Sequence, residues 1–406
     1  MRWEDNSDPS LPASKLENLK VIKDGKVSFE AFLSQEYMTV LGGMVVLSDG
    51  IPTEHKPGIV NTAIFTSARK GVITPKSIAK EIKRQENSYL KKPLNTFSLV
   101  SSLSISRFET LPAIRINGCS ITFLPALHKK YVIERQDIER RASQWLYRKP
   151  PVNYINVVAT VKSRSVEEAA NRALDQIDLI RGIWNLRHTS SMRMSSGRIK
   201  PVNTVLLGPL HTIHLPSKKL ATETYWYQQN YHDEVSALRL GNKKEKTLYF
   251  TKNVRKRLNG HPYRLIVEES IRRYARALDY PDLDASFLKL WSVLELLTNT
   301  LKSSYKVTIQ RASFTFGETY FHRQVLNNLR SYRNASVHSG SEPTGQTESF
   351  LYQLKRYVEQ LIVFHLFSGI RFSDIASAAS FLDMEPDVSM LREQRKMISA
   401  AIKYRS

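Results

Sequence analysis

Only one cysteine, Cys119, occurs among 406 residues, which excludes an internal disulfide framework and a multi-cysteine zinc site. Long apolar runs are missing too. The longest candidate, Tyr37 to Leu47, is broken by Gly42 and Gly43 and falls far short of the roughly 20 residues a spanning helix needs. The opening MRWEDNSDPSLPAS lacks the apolar core of an export signal and reads as a flexible polar tail over residues 1–14. A reducing, cytoplasmic setting with no membrane partner is the expectation. Acidic residues are also scarce: 38 Asp plus Glu against 60 Lys plus Arg leave a net charge of +22. Such an excess attracts polyanions, either nucleic acid or an acidic membrane surface, and no lipidation motif supports the latter.

What is present is the composition of a folded chain, 41% hydrophobic and 24% charged, long enough for two domains of roughly 150 residues or more. The pattern predicts an α+β protein. A mixed α/β recognition or sensor domain is expected over 15–240, with β-rich runs at Met38 to Leu47, Ile59 to Phe65, Thr96 to Ile105 and Ala113 to Leu124. Asn117-Gly118 inside the last run tolerates positive φ at both turn positions and predicts a hairpin. A helix is expected around Lys76 to Glu86. Tyr154 to Val161 reads as a strand leading into a helix whose apolar positions are Val166, Ala170, Ala173, Ile177, Ile180 and Trp184, started by a Ser165/Glu168 capping box.

Residues 241–260 form a basic junction, and from 261 to 406 the apolar spacing is purely helical. Val267, Ile271, Tyr274, Ala275 and Leu278 make one stripe, and Phe287, Leu290, Trp291, Leu294 and Leu297 a second. Val325, Leu329 and Tyr332 belong to a third, and Leu354, Tyr357, Val358 and Leu361 to a fourth. Helices with such stripes must bury them against one another, so an all-α bundle is expected.

Within the third helix, Leu329-Arg-Ser-Tyr-Arg-Asn-Ala-Ser-Val-His-Ser-Gly340 packs Arg333, Asn334 and His338 beside a helix stop. At 100° per residue Asn334 and His338 lie about 40° apart, and Arg333 lies about 140° from His338. Free carbonyls of a last helical turn favour a charged imidazole, which suits His338 to proton exchange near neutrality. A guanidinium beside it can hold a phosphate through paired hydrogen bonds, a combination that suits phosphodiester cleavage without a metal.

Arg333-Asn334-x-x-x-His338, preceded by a helix carrying Phe-Leu-Lys-Leu-Trp-Ser-Val-Leu-Glu-Leu-Leu (Phe287 to Leu297), resembles the HEPN superfamily, closest to the Apea-like HEPN proteins. The resemblance covers about residues 261–370. It implies a HEPN-like bundle acting as a metal-independent endoribonuclease without a cofactor, working as a homodimer on an RNA substrate, often as a toxin or anti-phage effector held by an antitoxin or activating partner. It further implies Arg333 as the phosphate contact, Asn334 as the orienting residue, His338 as the general base or acid, and Glu295 as the acidic residue of the second helix.

A competing account makes the bundle a non-catalytic HEPN-like module that binds nucleic acid or a partner, with Arg333 and His338 the cationic cap of a solvated helix end. Arg-to-His spacings also occur at Arg181 to His188 and Arg255 to His261, without the Asn or the helix stop. Glu295, on an apolar face, needs a partner: Arg333, His338 or an unrelated Lys. Arg311 and Arg330 are candidates to extend an RNA-binding surface, and Lys252, Arg255, Lys256 and Arg257 to form another in the basic, aromatic-rich junction. His211 and His214 would point to opposite faces of a strand, against a metal site, and Asp279, Asp282 and Asp284 read as carboxylates favoured at a helix start. His365 reads as a core histidine.

Overall fold

The structure, a computed structural model, describes residues 1–29, 31–144, 151–189, 200–231, 235–301, 303–339 and 346–405. Its class is α+β, as expected. Among the described residues no helix is long and apolar enough to cross a membrane. Two compact units are present: Met1–Phe97 with Val161–Arg172, and Ser98–Thr160 with Ala173–Ser406.

The first unit contains β1 (Arg2–Trp3), α1 (Ser10–Asn18), β2 (Lys20–Lys23), β3 (Lys26–Phe29), α2 (Ala31–Met44), β4 (Val45–Val46), α3 (Lys56–Lys70) and α4 (Pro75–Leu90). The first fourteen residues are not a free tail: β1 pairs antiparallel with β4, and Pro12 and Ala13 of α1 are buried. The apolar runs at Met38 to Leu47 and Ile59 to Phe65, expected as strands, are helical in α2 and α3 apart from the short β4. Short apolar runs carry little to separate a buried helix from a buried strand, and the packing around them decided here. Met38, Leu41 and Val45 fall on one buried stripe, as do Val60, Ala63, Ile64, Ser67 and Ala68. The expected helix around Lys76 is α4, capped by Thr74, whose hydroxyl accepts from the Ser77 N–H at 3.1 Å.

At the start of the helix after residue 165, the Ser165 hydroxyl accepts from the Glu168 N–H at 3.1 Å, the first half of the expected capping box. The reciprocal half is displaced by one residue. Glu168 accepts instead from the Arg164 N–H at 2.7 Å and from the Tyr89 hydroxyl at 2.9 Å.

β5 (Asn95–Ser106), β6 (Ile114–Ile116), β7 (Cys119–Leu124), β8 (Tyr154–Ser163), β9 (Leu210–His214) and β10 (Trp226–Tyr227) build a sheet of order β10-β9-β5-β8-β7-β6, most of it in the second unit. The hairpin between β6 and β7 turns at Asn117 (φ 49°) and Gly118 (φ 74°), the left-handed pair that the sequence predicts. Two helices flank these strands in sequence, α5 (Lys129–Ser143) and α6 (Val166–His188), and the apolar positions of α6 from Ala170 to Trp184 are buried.

From residue 244 every element among the described residues is helical: α7 (Lys244–Asn259), α8 (Arg264–Ala277), α9 (Leu283–Leu297), α10 (Tyr305–Phe314), α11 (Thr319–Ser339), α12 (Thr347–Phe367), α13 (Ile375–Leu382) and α14 (Val388–Arg405). The α8 and α9 stripes are fully buried, and α9 packs against both α8 and α12. Sheet and helices share one compact unit, with no division at the expected 241–260 junction, because that segment is itself a packed helix and α8 seats directly on α6. At Gly182 an added Cβ would lie 2.7 Å from Ile271 Cγ2 and 2.8 Å from its carbonyl oxygen. Buried charge reinforces the packing: Arg181 donates to Asp178 at 2.6 Å and to Asp279 at 2.8 Å, and Arg276 donates to Asp178 at 2.5 Å.

Candidate functional site

The C-terminal half of α11 is held in register by its apolar face. Leu326 and Leu329 are buried, and the Tyr332 ring meets Phe287 edge-on at 4.9 Å and Phe350 at the same distance. The Tyr332 hydroxyl donates to the Asp284 carboxylate, and it lies 2.8 Å from the Thr347 hydroxyl. Burial, with the Asp284 carboxylate adding to it, pushes that phenol up to about 12.

Arg333 follows at once, half-buried, with its guanidinium 5.0 Å from the Tyr305 ring centroid. Tyr305 opens α10 and meets Trp291 edge-on at 6.1 Å. The Trp291 indole N–H donates to Glu295 Oε1 at 3.0 Å. Burial raises the Glu295 carboxyl above the usual carboxylate range, while the indole hydrogen bond and the nearby Arg333 charge oppose the rise. Arg333 and Glu295, expected to belong to one site, are therefore electrostatically coupled, and the hydrogen-bond partner of Glu295 is an indole.

Asn334 is half-buried on the same face of α11 as Arg330, four residues earlier. His338 falls in the last turn of α11, so Arg333, Asn334 and His338 share one helix, and the His338 side chain lies outside the described residues. Gly340 to Pro343 of the expected helix stop also lie outside them.

Arg311 departs from the expected RNA surface. Its Nε and Nη2 donate to the two Asp383 carboxylate oxygens, each at 2.7 Å, and Nη1 donates to the Thr298 carbonyl at 2.8 Å. The guanidinium thus closes the C-terminal end of α9 and ties α10 to the end of α13, where an intramolecular fork of this geometry is stronger than exposure to water. On α7, Lys252, Lys256 and Arg257 are exposed, whereas Arg255 is half-buried and donates to the Arg115 carbonyl. Arg257 lies 5.7 Å from the Phe367 ring centroid.

The other polar candidates have structural partners. His188 bonds the Thr247 hydroxyl at 2.9 Å, and burial pushes it down to about 4. His211 lies 2.8 Å from the Ser101 hydroxyl and 3.1 Å from the Gln228 amide, buried and pushed down to about 3. His214 Nδ1 donates to the Lys218 carbonyl at 3.0 Å. Asp282 caps α9 as expected, accepting from the Asp284 and Ala285 N–H groups, whereas Asp279 pairs with Arg181. His365 is the expected core histidine: Nε2 donates to the Leu297 carbonyl at 2.9 Å and Nδ1 accepts from the Tyr263 hydroxyl at 2.9 Å.

Two members of the Arg333 cluster escape sequence reasoning. Trp291 reads as core alone, and Tyr305 carries no local signal, since it meets Arg333 only through the docking of α10 on α11. The cluster holds a cation over a ring beside a carboxyl that resists ionisation, a set able to contact a phosphate and bias proton positions. No match emerges when the chain is compared with protein-family models, curated proteins and solved structures.

Proposed function

We propose that the helical region is a metal-independent endoribonuclease of HEPN type. The reading is carried by the Arg333-Asn334-x-x-x-His338 spacing at the end of α11, with Arg333 braced by Tyr305 and coupled to Glu295. The net charge of +22 supports a polyanionic substrate.

In this proposal His338 takes the proton of a ribose 2′-hydroxyl as its oxygen bonds to the adjacent phosphorus. Arg333 stabilises the charge of the pentavalent state, and Asn334 orients the phosphate. The bond from phosphorus to the 5′-oxygen breaks, the 5′-oxygen takes up a proton, and a 2′,3′-cyclic phosphate and a 5′-hydroxyl remain. Arg333 and His338 diverge by about 140° around one helix, so a second protomer completes the site and makes dimerisation part of catalysis. A toxin or anti-phage effector restrained by an antitoxin or an activating partner is the setting that fits such an activity.

The test incubates wild type and His338→Ala with labelled single-stranded RNA in excess EDTA and determines the chemistry of the new ends. Cyclic-phosphate ends from wild type alone are expected. Equal RNA affinity in both proteins with cleavage by neither overturns the proposal in favour of a binding module.

A further inference from the structure

A cleft of about 840 Å³ opens where the C-terminal ends of α7 and α12 converge, well within the size of small-ligand sites. Its cations are Lys256, Arg257 and Arg371, and among the described residues no carboxylate lines it. None of the three forms an ion pair among the described residues. The C-terminal ends of α7 and α12 line the cleft, and each helix end carries about half a negative charge, so roughly two of the three positive charges remain uncompensated. Asp374 is the carboxylate whose field reaches the cleft wall at Tyr263, and it is engaged in capping α13 through the Ser377 N–H at 2.7 Å.

Aromatic rings stand among the remaining lining residues. Tyr249 is 69% exposed although it lines the cleft. Phe367 is braced from behind by Phe250, stacked at 6.2 Å, and Phe372 by Phe381 at 5.5 Å. The floor is a fixed polar network: His261 Nε2 donates to the His365 carbonyl at 2.9 Å, and the Tyr263 hydroxyl donates to His365 Nδ1. His261 Nδ1 is buried there with no partner among the described residues, an acceptor left for something else to satisfy.

We propose that this cleft binds a nucleotide, its phosphates held by Lys256, Arg257 and Arg371 and its base stacked against the exposed Tyr249 ring. A free nucleotide and the terminal nucleotide of an RNA chain present the same chemistry. This site shares no lining residue with the Arg333 cluster, and the proposal does not depend on whether the chain cuts RNA.

Calorimetric titration of the full chain with ADP, with pyrophosphate and with a 5′-phosphorylated, 2′-O-methylated tetranucleotide, which resists 2′-hydroxyl attack, tests it. Saturable binding is expected, weakened about tenfold or more by Arg257→Ala or Lys256→Ala, since each variant removes a charge-assisted hydrogen bond to phosphate. Tyr249→Ala is expected to weaken it several-fold by removing a stacking surface, and Lys396→Ala on α14 to leave it unchanged. Retention of affinity in Arg257→Lys, with an unchanged circular dichroism spectrum in every variant, separates impaired phosphate recognition from misfolding. Tighter binding of ADP than of the tetranucleotide assigns a free nucleotide, and the reverse order assigns a chain end. Absence of binding by both, binding indifferent to Arg257→Ala, or pyrophosphate binding as tightly as ADP overturns the proposal.

Discussion

The Arg333 guanidinium lies over the Tyr305 ring, 5.0 Å from its centroid, and Tyr305 in turn abuts Trp291, which donates to Glu295. A residue expected to contact phosphate is thereby attached to the carboxyl expected to share its site, through two aromatic rings from two other helices.

Removing the ring should loosen Arg333 without removing its charge. A cation over an aromatic face contributes about 0.5–2 kcal/mol, so Tyr305→Leu is expected to lower thermal stability by about that amount, and Tyr305→Phe much less. If Arg333 serves the proposed cleavage, the rate falls in the same order. Equal stability of Tyr305→Leu and wild type in urea unfolding would sink the idea.

Glu295 has a carboxyl raised by burial, so its ionised form opposes folding. The sign follows from linkage: a raised folded value means the native state holds the proton more tightly than the unfolded chain, and this favourable contribution is lost as pH rises through that value. Glu295→Gln keeps an acceptor for the Trp291 indole and removes the charge. Its melting temperature at pH 7 is expected to equal or exceed that of wild type, while RNA cleavage, if Glu295 takes part, declines. A variant less stable than wild type at pH 7 counts against the assignment.

Arg181 is almost fully buried between Asp178 and Asp279. Asp178 keeps Arg276, but Asp279 is left with only the Asn203 amide among the described residues, so Arg181→Ala leaves one buried carboxylate without a cation and is expected to cost about 3–5 kcal/mol. Chemical denaturation of the two proteins reads this directly, and a loss below about 1 kcal/mol would show that the network relaxes or hydrates.

Acid should weaken the fold before ordinary carboxylates titrate. His211 is pushed down to about 3 and His365 to about 4, in both cases by burial first, against an ordinary value of 6.5. The unfolded chain therefore binds protons that the native state refuses, and the stability present above pH 6.5 declines as pH falls toward 4, by roughly 3 kcal/mol per histidine. Urea unfolding at pH 7.0, 6.0 and 5.0 checks it. A free energy unchanged between pH 7 and 5 would mean that the native state takes up protons at both imidazoles as readily as the unfolded chain, against the assignment.

Local requirements were legible in the sequence. Asn117-Gly118 specifies its turn because two successive residues must adopt positive φ, a demand met within the pair itself. The stripes of α8 and α9 and the Asp282 cap likewise follow from a 3.6-residue period and from N–H groups that a neighbouring side chain must satisfy. The same logic placed Arg333, Asn334 and His338 on one helix.

Tertiary structure decided what no short window contains. Met38 to Leu47 and Ile59 to Phe65 are apolar enough for either element, and only the partners packed around α2 and α3 selected the helical stripe. Arg311 has no local mark that separates a surface cation from a clasp; Asp383, 72 residues away, makes the difference. Tyr305 meets Arg333 because α10 docks on α11, and the cleft beyond Phe367 exists because two helix ends converge. Sequence determines conformations whose energies are local, whereas the pairing of distant residues depends on burying every apolar face at once, a condition that only the whole packed chain satisfies.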